Sequence, residues 1–503
     1  MSDHGYELIA LFVYLIGMLA IGAWAYRRTT DLDDYMLGGR GLGPMVSALS
    51  AGASDMSGWL LLGLPGAIYA AGLVEGWIAV GLTVGAWLNW KFVAPRLRTY
   101  TEVAGDSITV PSFLENRLKD SSRLLRLASG SIIMLFFTFY VSSGMVAGGI
   151  FFESSFDADF HTGLLVVTAV VVAYTLFGGF LAVCYTDFVQ GTIMVLALVL
   201  VPVVGIFVTG GLGETAESIR AVDPDRLSML SGATVLGVIS AAAWGLGYFG
   251  QPHIIVRFMA LRSAGEARSA RRIGIGWMLI SLFGAVSTAL VGIAYFEQHP
   301  EVDLSDPEAV FISMGQILFH PLVAGVMLAA VLAAIMSTIS SQLLVTSSAL
   351  VEDIYKAVLH TNAPDRHLVM LGRLAVLGVS VVAAALAWQR SGTVLDLVAY
   401  AWAGFGASFG PVILLSLYWR KLTAMGALGG LVTGAATVVV WGNIDALSSR
   451  MYEIVPGFAL SALVAVVVSR LTYRPDPRIE EEFDRAVAML GAEPPAEPER
   501  LAV

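Results

Sequence analysis

The chain has 503 residues, 57% hydrophobic and 14% charged, with 29 lysines and arginines against 39 aspartates and glutamates for a net charge of −10. Soluble domains carry about a quarter of their residues as charges, so this composition excludes a water-soluble enzyme and points to a polytopic helical membrane protein. The single cysteine, Cys184, can form no internal disulfide and excludes thiolate metal clusters and a cysteine redox pair.

Apolar runs near 20 residues, the length that crosses a bilayer, predict thirteen spans: 6–26, 45–71, 76–93, 125–152, 162–177, 185–208, 234–256, 274–295, 321–351, 367–388, 394–419, 423–441 and 456–468. The start resembles a signal peptide only at Ala23-Trp24-Ala25. It lacks a basic opening, and Arg27 and Arg28 follow it as a stop, so the first span is expected to be retained with its N-terminus outside. Alternating the spans from there leaves Arg220, Arg226, Arg390 and Arg450 outside and the other 25 of the 29 basic residues inside, as the positive-inside rule requires. The arginine clusters at 96–126 and 262–272 therefore read as topology determinants and not as nucleic-acid sites.

Span 1 has no interior charge and is expected to be peripheral. The following inner loop ends Gly38-Gly39-Arg40-Gly41-Leu42-Gly43-Pro44, where Arg40 is placed to anchor or gate the inner end of span 2. Within span 2, Ser50-Ala-Gly-Ala-Ser54-Asp55-Met56-Ser57-Gly58-Trp59 puts a carboxylate among hydroxyls near mid-membrane. Such a group costs about 2.5–3.5 kcal/mol on insertion scales and by default marks an ion or substrate pathway. The bland alternative is a carboxylate capped by Ser54 and Ser57. The two glycines let the helix unwind, which membrane helices tolerate only where backbone is packed in protein or lines a cavity.

In span 3, Trp77, Trp87 and Trp90 read as interfacial belt and packing. Span 4 carries Tyr140 beside Ser142, Ser143 and Gly144, so its hydroxyl is a candidate to face a cavity. Gly178-Gly179 predicts a tight turn between spans 5 and 6. Asp187 near the inner end of span 6 is either solvated by water or part of an ion exit path.

Span 7 is interrupted at Trp244-Gly-Leu-Gly-Tyr248-Phe-Gly-Gln-Pro252-His253: Pro252 removes a backbone donor, and three glycines lower the cost of unwinding. Trp244 and Tyr248, four apart, share a face if the helix persists and would wall a small ring. His253 reads as a packed histidine. Span 9 ends Ala334-Ile-Met-Ser337-Thr338-Ile-Ser340-Ser341, more hydroxyls than harmless bonding to the preceding turn explains. Neutral hydroxyls and carbonyls suit a weakly held monovalent cation. Span 11 packs closely through small residues around Tyr400-Ala-Trp402-Ala-Gly404, and the tail after 470 is polar and too short for a catalytic domain. The interruptions fall in spans 2 and 7, five apart, as in an inverted repeat of two five-helix halves with the site between their first helices.

The elements around Asp55, the Tyr174-Thr-Leu-Phe-Gly-Gly-Phe-Leu-Ala182 turn and Ser337-Thr338 resemble the sodium/solute symporter family, and the 244–253 and 400–406 stretches resemble its proline-carrying bacterial branch. The resemblance covers nearly the whole chain. It implies an all-α polytopic protein of thirteen transmembrane helices with a LeuT-like 5+5 core. Residues 1–27 form a peripheral first helix, 45–210 and 233–419 the two repeats, 423–470 two peripheral helices and 471–503 a cytoplasmic tail. It further implies a symporter and no enzyme, in a bacterial inner membrane with its C-terminus cytoplasmic, moving L-proline inward with sodium and needing no protein partner. Position by position, sodium would rest on carbonyls of Ala53, Met56 and Ala334 and hydroxyls of Ser337 and Thr338, with Asp55 required for coupling. L-proline would meet Ser57, Gly58, Tyr140, Trp244, Tyr248 and Pro252. Some relatives hold a second sodium near the equivalents of Asp187, Ser337, Ser340 and Ser341; all four residue types are present here, which does not fix the stoichiometry. Asp55 is placed to serve either sodium or the prolinium nitrogen. The alternative is a symporter for another small carboxylate such as pantothenate, which would differ at the span 7 wall.

Overall fold

The computed structural model describes residues 3–26, 32–359, 363–389 and 392–491; Arg27, Arg28 and Arg390, which entered the charge argument, lie outside them. The described chain is helical throughout, with one isolated bridge pairing Leu42 with Leu261. Among the described residues nine helices are long and apolar enough to cross a membrane, and three shorter apolar ones are Trp59–Ala71, Phe160–Leu176 and Val235–Gly250. The shorter ones fall where the sequence predicts breaks or a tight turn.

Helix α1 (Asp3–Tyr26) leads to the interrupted second segment, α2 (Pro44–Asp55) and α3 (Leu64–Ala71), joined through a π-helical stretch, Trp59–Gly63. Next come α4 (Gly76–Leu88), α5 (Leu124–Phe156) and α6 (Phe160–Val208). The 49 residues of α6 would run to about 70 Å if straight, over twice the ~30 Å of a bilayer core. It breaks at Gly179 (φ 59°, ψ −161°), a conformation that favours glycine, as the double-glycine turn predicts. The interrupted seventh segment is α7 (Val235–Ala242), a 3-10 stretch Ala243–Gly250, extended Gln251 and α8 (Pro252–Met259). The rest is α9 (Ala267–Gln298), α10 (Pro321–Ser348), α11 (Asp365–Ala387), α12 (Val394–Tyr418), α13 (Ala424–Gly442), α14 (Ile454–Thr472) and α15 (Pro477–Gly491).

Helix α1 exposes one stripe and buries another. Phe12 and Val13 are exposed, whereas Leu11, Tyr14 and Met18 are buried. The Tyr14 hydroxyl accepts from Gln190 of α6 at 2.7 Å and lies 3.8 Å from the sulfur of Met336 on α10. In the tail, α15 is amphipathic and docks through Phe483 beneath Arg117 and through Lys119–Glu482 (2.6 Å) and Arg420–Glu480 (3.0 Å) ion pairs.

The two ends of the bundle differ in charge chemistry. At the end of Asp3, contacts run through Glu7, Gln316 and Ser155. At the opposite end, arginines hold helix termini together: Arg96 donates to the Leu417 carbonyl (2.9 Å), Arg98 to that of Leu261, and Arg126 to Glu115, Glu352 and Asp353.

Candidate functional site

The site forms where α2 ends. The last carbonyls of a helix have no partner inside it, and at Met56 (φ −82°, ψ 78°) the chain leaves the helix in the buried interior, so these groups must be satisfied from elsewhere. Ser337 of α10 donates to the Ala53 carbonyl at 2.7 Å and stands 3.1 Å from the Ala334 carbonyl. Trp59 Nε1 donates to the Asp55 carbonyl at 3.0 Å. The Thr338 hydroxyl is buried one residue further on with no partner among the described residues. Ser337 thus brings the Ala53 and Ala334 carbonyls together between α2 and α10, next to the Met56 break.

Asp55 is buried, and its Oδ2 accepts from the Tyr248 hydroxyl on the unwound part of the seventh segment. The bland reading fails here: Ser54 donates to the Ala51 carbonyl, and Ser57 accepts from the Trp59 amide at 3.4 Å, so neither caps Asp55. Oδ1 is left without a donor among the described residues, and the Tyr140 hydroxyl of α5 lies toward Ser57 and Asp55. Asp55, Ser57, Tyr140 and Tyr248 therefore surround one point between the two broken helices.

The unwound seventh segment survives because side chains replace its helix bonds. Asn89 donates to the Tyr248 carbonyl (2.8 Å), Trp402 to that of Trp244 (2.8 Å), and Gln251 donates in turn to the Trp402 carbonyl (3.1 Å). Neighbouring glycines admit it at backbone distance: a Cβ on Gly85 would stand 2.1 Å from the Gly245 carbonyl. Because the segment is 3-10 wound, Trp244 and Tyr248 do not share the face they would have on a continuous helix. Trp402 sits between them, stacked on Trp244 (centroids 6.3 Å) and edge-on to Tyr248 (5.1 Å), while Trp59 and Tyr452 flank Trp244. Trp244 also lines a cavity of about 630 Å³ opening toward the end with Glu75, Asp396 and Glu453. On the opposite side Pro252, Thr109 and Asp353 line a pocket of about 20 Å³.

Other expected residues stand apart. Gly58 packs against Ala147 and Ile335, where a Cβ would come within 2.9 Å and 3.3 Å. Pro252 begins α8 on the arginine-rich side of Tyr248, and His253 packs against Phe137 and Tyr140. Ser340 donates to the Ser337 carbonyl (3.0 Å) and not toward Asp187. Asp187 is not solvated near a surface. It is buried and paired with Arg257 at 3.1 Å, with Ser50 donating to it at 2.7 Å. Arg40 is an anchor at the arginine-rich end, bonded to Thr101, the Met259 and Ser107 carbonyls and Asp106. Burial lowers its pKa, and Asp106 opposes that shift.

Sequence reasoning missed Asn89, Trp402, Tyr452 and Arg257. Asn89 is a lone amide in an apolar span and was visible as such. Arg257 falls one residue beyond the predicted end of span 7 and was absorbed into the inner basic residues.

Residues 35–434 match the sodium:solute symporter family. The chain is 62% identical over 467 residues, 93% of its length and 98% of the relative's, to the high-affinity proline transporter PutP of Bacillus subtilis (strain 168). It is 51% identical over 488 residues, 95% of both chains, to a sodium/proline symporter of Staphylococcus aureus (strain JH9). A solved Na+-coupled sialic acid symporter in a substrate-bound, outward-open state shares the fold, with a TM-score of 0.79 at 18% identity over 93% of this chain and 98% of that one. With a family match across most of its length and relatives that share half or more of its residues, this chain belongs to the sodium:solute symporter family.

Proposed function

We propose that the chain is a secondary active transporter that couples inward sodium movement to uptake of L-proline by alternating access. The observation that carries this reading is the double contact of the end of α2: Tyr248 reaches Asp55 from one broken helix, and Ser337 reaches Ala53 from α10. Sodium is held by carbonyls of Ala53, Met56 and Ala334 and hydroxyls of Ser337 and Thr338. Its arrival draws α10 onto α2 and orders the unwound residues. L-Proline then binds against Ser57, Tyr140, Trp244 and Tyr248, with its carboxylate toward the start of the second half-helix at Gly58, where the half-helix dipole offsets the charge. Trp402 completes the ring wall, Pro252 fixes the break in the seventh segment, and Arg40 holds the inner end of α2 closed.

The membrane arrangement in this reading is thirteen spans in the bacterial inner membrane, with residues 45–210 and 233–419 as inverted five-helix repeats. The N-terminus is outside and the tail cytoplasmic. The arginine-tied end supports its assignment to the cytoplasm, and the cavity lined by Trp244 then lies on the outer side. One charge moving through 100 mV gains about 2.3 kcal/mol and a tenfold sodium gradient about 1.4 kcal/mol. The sum of about 3.7 kcal/mol drives accumulation of a zwitterion by roughly a few hundredfold.

The test is uptake of radiolabelled L-proline into proteoliposomes with an inward sodium gradient or an equal potassium gradient, with unlabelled pantothenate as competitor. Sodium-dependent uptake that ignores pantothenate is expected. Uptake equal in both salts would remove the coupling, and competition by pantothenate would replace the substrate.

A further inference from the structure

Arg257 is buried on α8 and carries its guanidinium into the residues expected to take a second sodium. Its Nη2 donates to Asp187 Oδ2 (3.1 Å) and Ser341 Oγ (2.6 Å), its Nε to Ser50 Oγ (3.1 Å) and its Nη1 to the His253 carbonyl. Ser50 and Ser341 donate in turn to the same carboxylate oxygen at 2.7 Å and 3.5 Å. The Phe180 ring covers the group at 5.3 Å. Elements α2, α6, α8 and α10 thus converge on one positive and one negative charge, each the other's compensation in a buried site. Removal of either alone is strongly unfavourable there.

We propose that the Arg257 guanidinium is a tethered cation in the place of a second coupling ion, so that this chain moves one sodium per proline through the Ala53–Ser337 cluster alone. The inference rests on the sodium-coupled proline transport proposed above. Arginine stays charged under all working conditions, and Asp187 Oδ2 already receives three donors. A sodium ion on those oxygens would sit beside the guanidinium and be repelled by it. Of the other expected ligands, Ser340 is turned to the Ser337 carbonyl and Ser337 to the Ala53 carbonyl. Ser50 and Ser341 lie three and four residues from Ala53 and Ser337, so the fixed pair also positions α2 against α10 one helical turn from the cation cluster.

The experiment is a null-point measurement in proteoliposomes at zero membrane potential: the proline gradient at which net flux vanishes against a tenfold inward sodium gradient. The native chain is expected to balance at about a tenfold proline gradient, Arg257→Lys likewise, and Arg257→Ala at about a hundredfold gradient, because a second sodium then occupies the freed Asp187, Ser50 and Ser341 oxygens. The null point does not depend on how many molecules fold, so a poorly expressed variant remains readable. A native null near a hundredfold, or an Arg257→Ala null near tenfold, would overturn the proposal. If Arg257→Ala yields no folded protein, the native and Arg257→Lys values decide it in the same way. Native protein that moves no proline with sodium defeats the transport reading instead, which is a separate result.

Discussion

Ser337 on α10 and Ala53 on α2 are tied by a 2.7 Å hydrogen bond from hydroxyl to a carbonyl that helix geometry leaves without a partner. The bond joins the helix that ends at the candidate substrate site to the helix that carries the proposed hydroxyl ligands, so the proposed cation cluster and the two-helix contact are one object. In the proposed mechanism an ion bound there changes the spacing of both.

Thr338 separates ion binding from folding. Its hydroxyl is buried and has no partner among the described residues, so replacing it with the isosteric methyl in Thr338→Val leaves no broken hydrogen bond and removes a desolvated polar group. We expect thermal stability unchanged or raised by about 1 kcal/mol, with sodium activation of uptake shifted to at least about tenfold higher concentration, a loss of about 1.4 kcal/mol of ion binding. Sodium titrations of uptake and melting curves on the same preparation check both halves.

Tyr248→Phe removes the donor that reaches Asp55 across the two broken helices. A buried carboxylate that loses its hydrogen bond costs about 1.5–3 kcal/mol, so the proline KM should rise about ten- to a hundredfold, with much of the loss recovered in Tyr248→His. Equal KM values for native and Tyr248→Phe would detach Asp55 from the substrate site.

The close approach of α4 to the unwound segment makes Gly85→Ala disruptive although alanine is the better helix former. A Cβ there meets the Gly245 carbonyl and Cα at 2.1 and 2.5 Å, and both are backbone. The segment carrying Trp244 must move, so proline affinity should fall more than tenfold. Gly17→Ala, where nothing lies within 4 Å of the added carbon, should leave it unchanged. Equilibrium binding of labelled proline compares the two.

At the arginine-rich end, Arg126 donates to Glu115 (3.0 Å), Glu352 (2.8 Å) and Asp353 (3.1 Å). Arg126→Ala leaves three carboxylates facing one another. With its side chain 17% exposed, the loss should be about 2–3 kcal/mol, below that of a fully buried pair. Thermal unfolding in detergent measures it, and a shift under 1 kcal/mol would show that the carboxylates find other partners.

Both helix breaks were legible in the sequence because their causes are local: glycines beside Asp55, and Pro252 after a glycine run. The hydroxyls of Ser337 and Thr338 were legible for the same reason, as an excess over what an apolar helix needs. What closes the site was not. Trp402 reaches the Trp244 carbonyl from a segment 158 positions later in the chain, and a tryptophan among glycines reads equally well as packing. Asp187 looked like a residue near an aqueous end because hydropathy places helix ends within several residues, while its partner Arg257 lies 70 positions away. Trp244 and Tyr248 would share a face only on a continuous helix, and the 3-10 winding of Ala243–Gly250 rotates a residue four positions on away from that face.

The central claim is that one site joins sodium to proline, and equilibrium binding of labelled L-proline to the purified chain across a sodium titration tests it most directly. The account predicts that saturating sodium tightens proline binding at least about tenfold, a coupling of about 1.4 kcal/mol, and that Ser337→Ala shifts this effect to higher sodium. Proline affinity that is the same with and without sodium would contradict it.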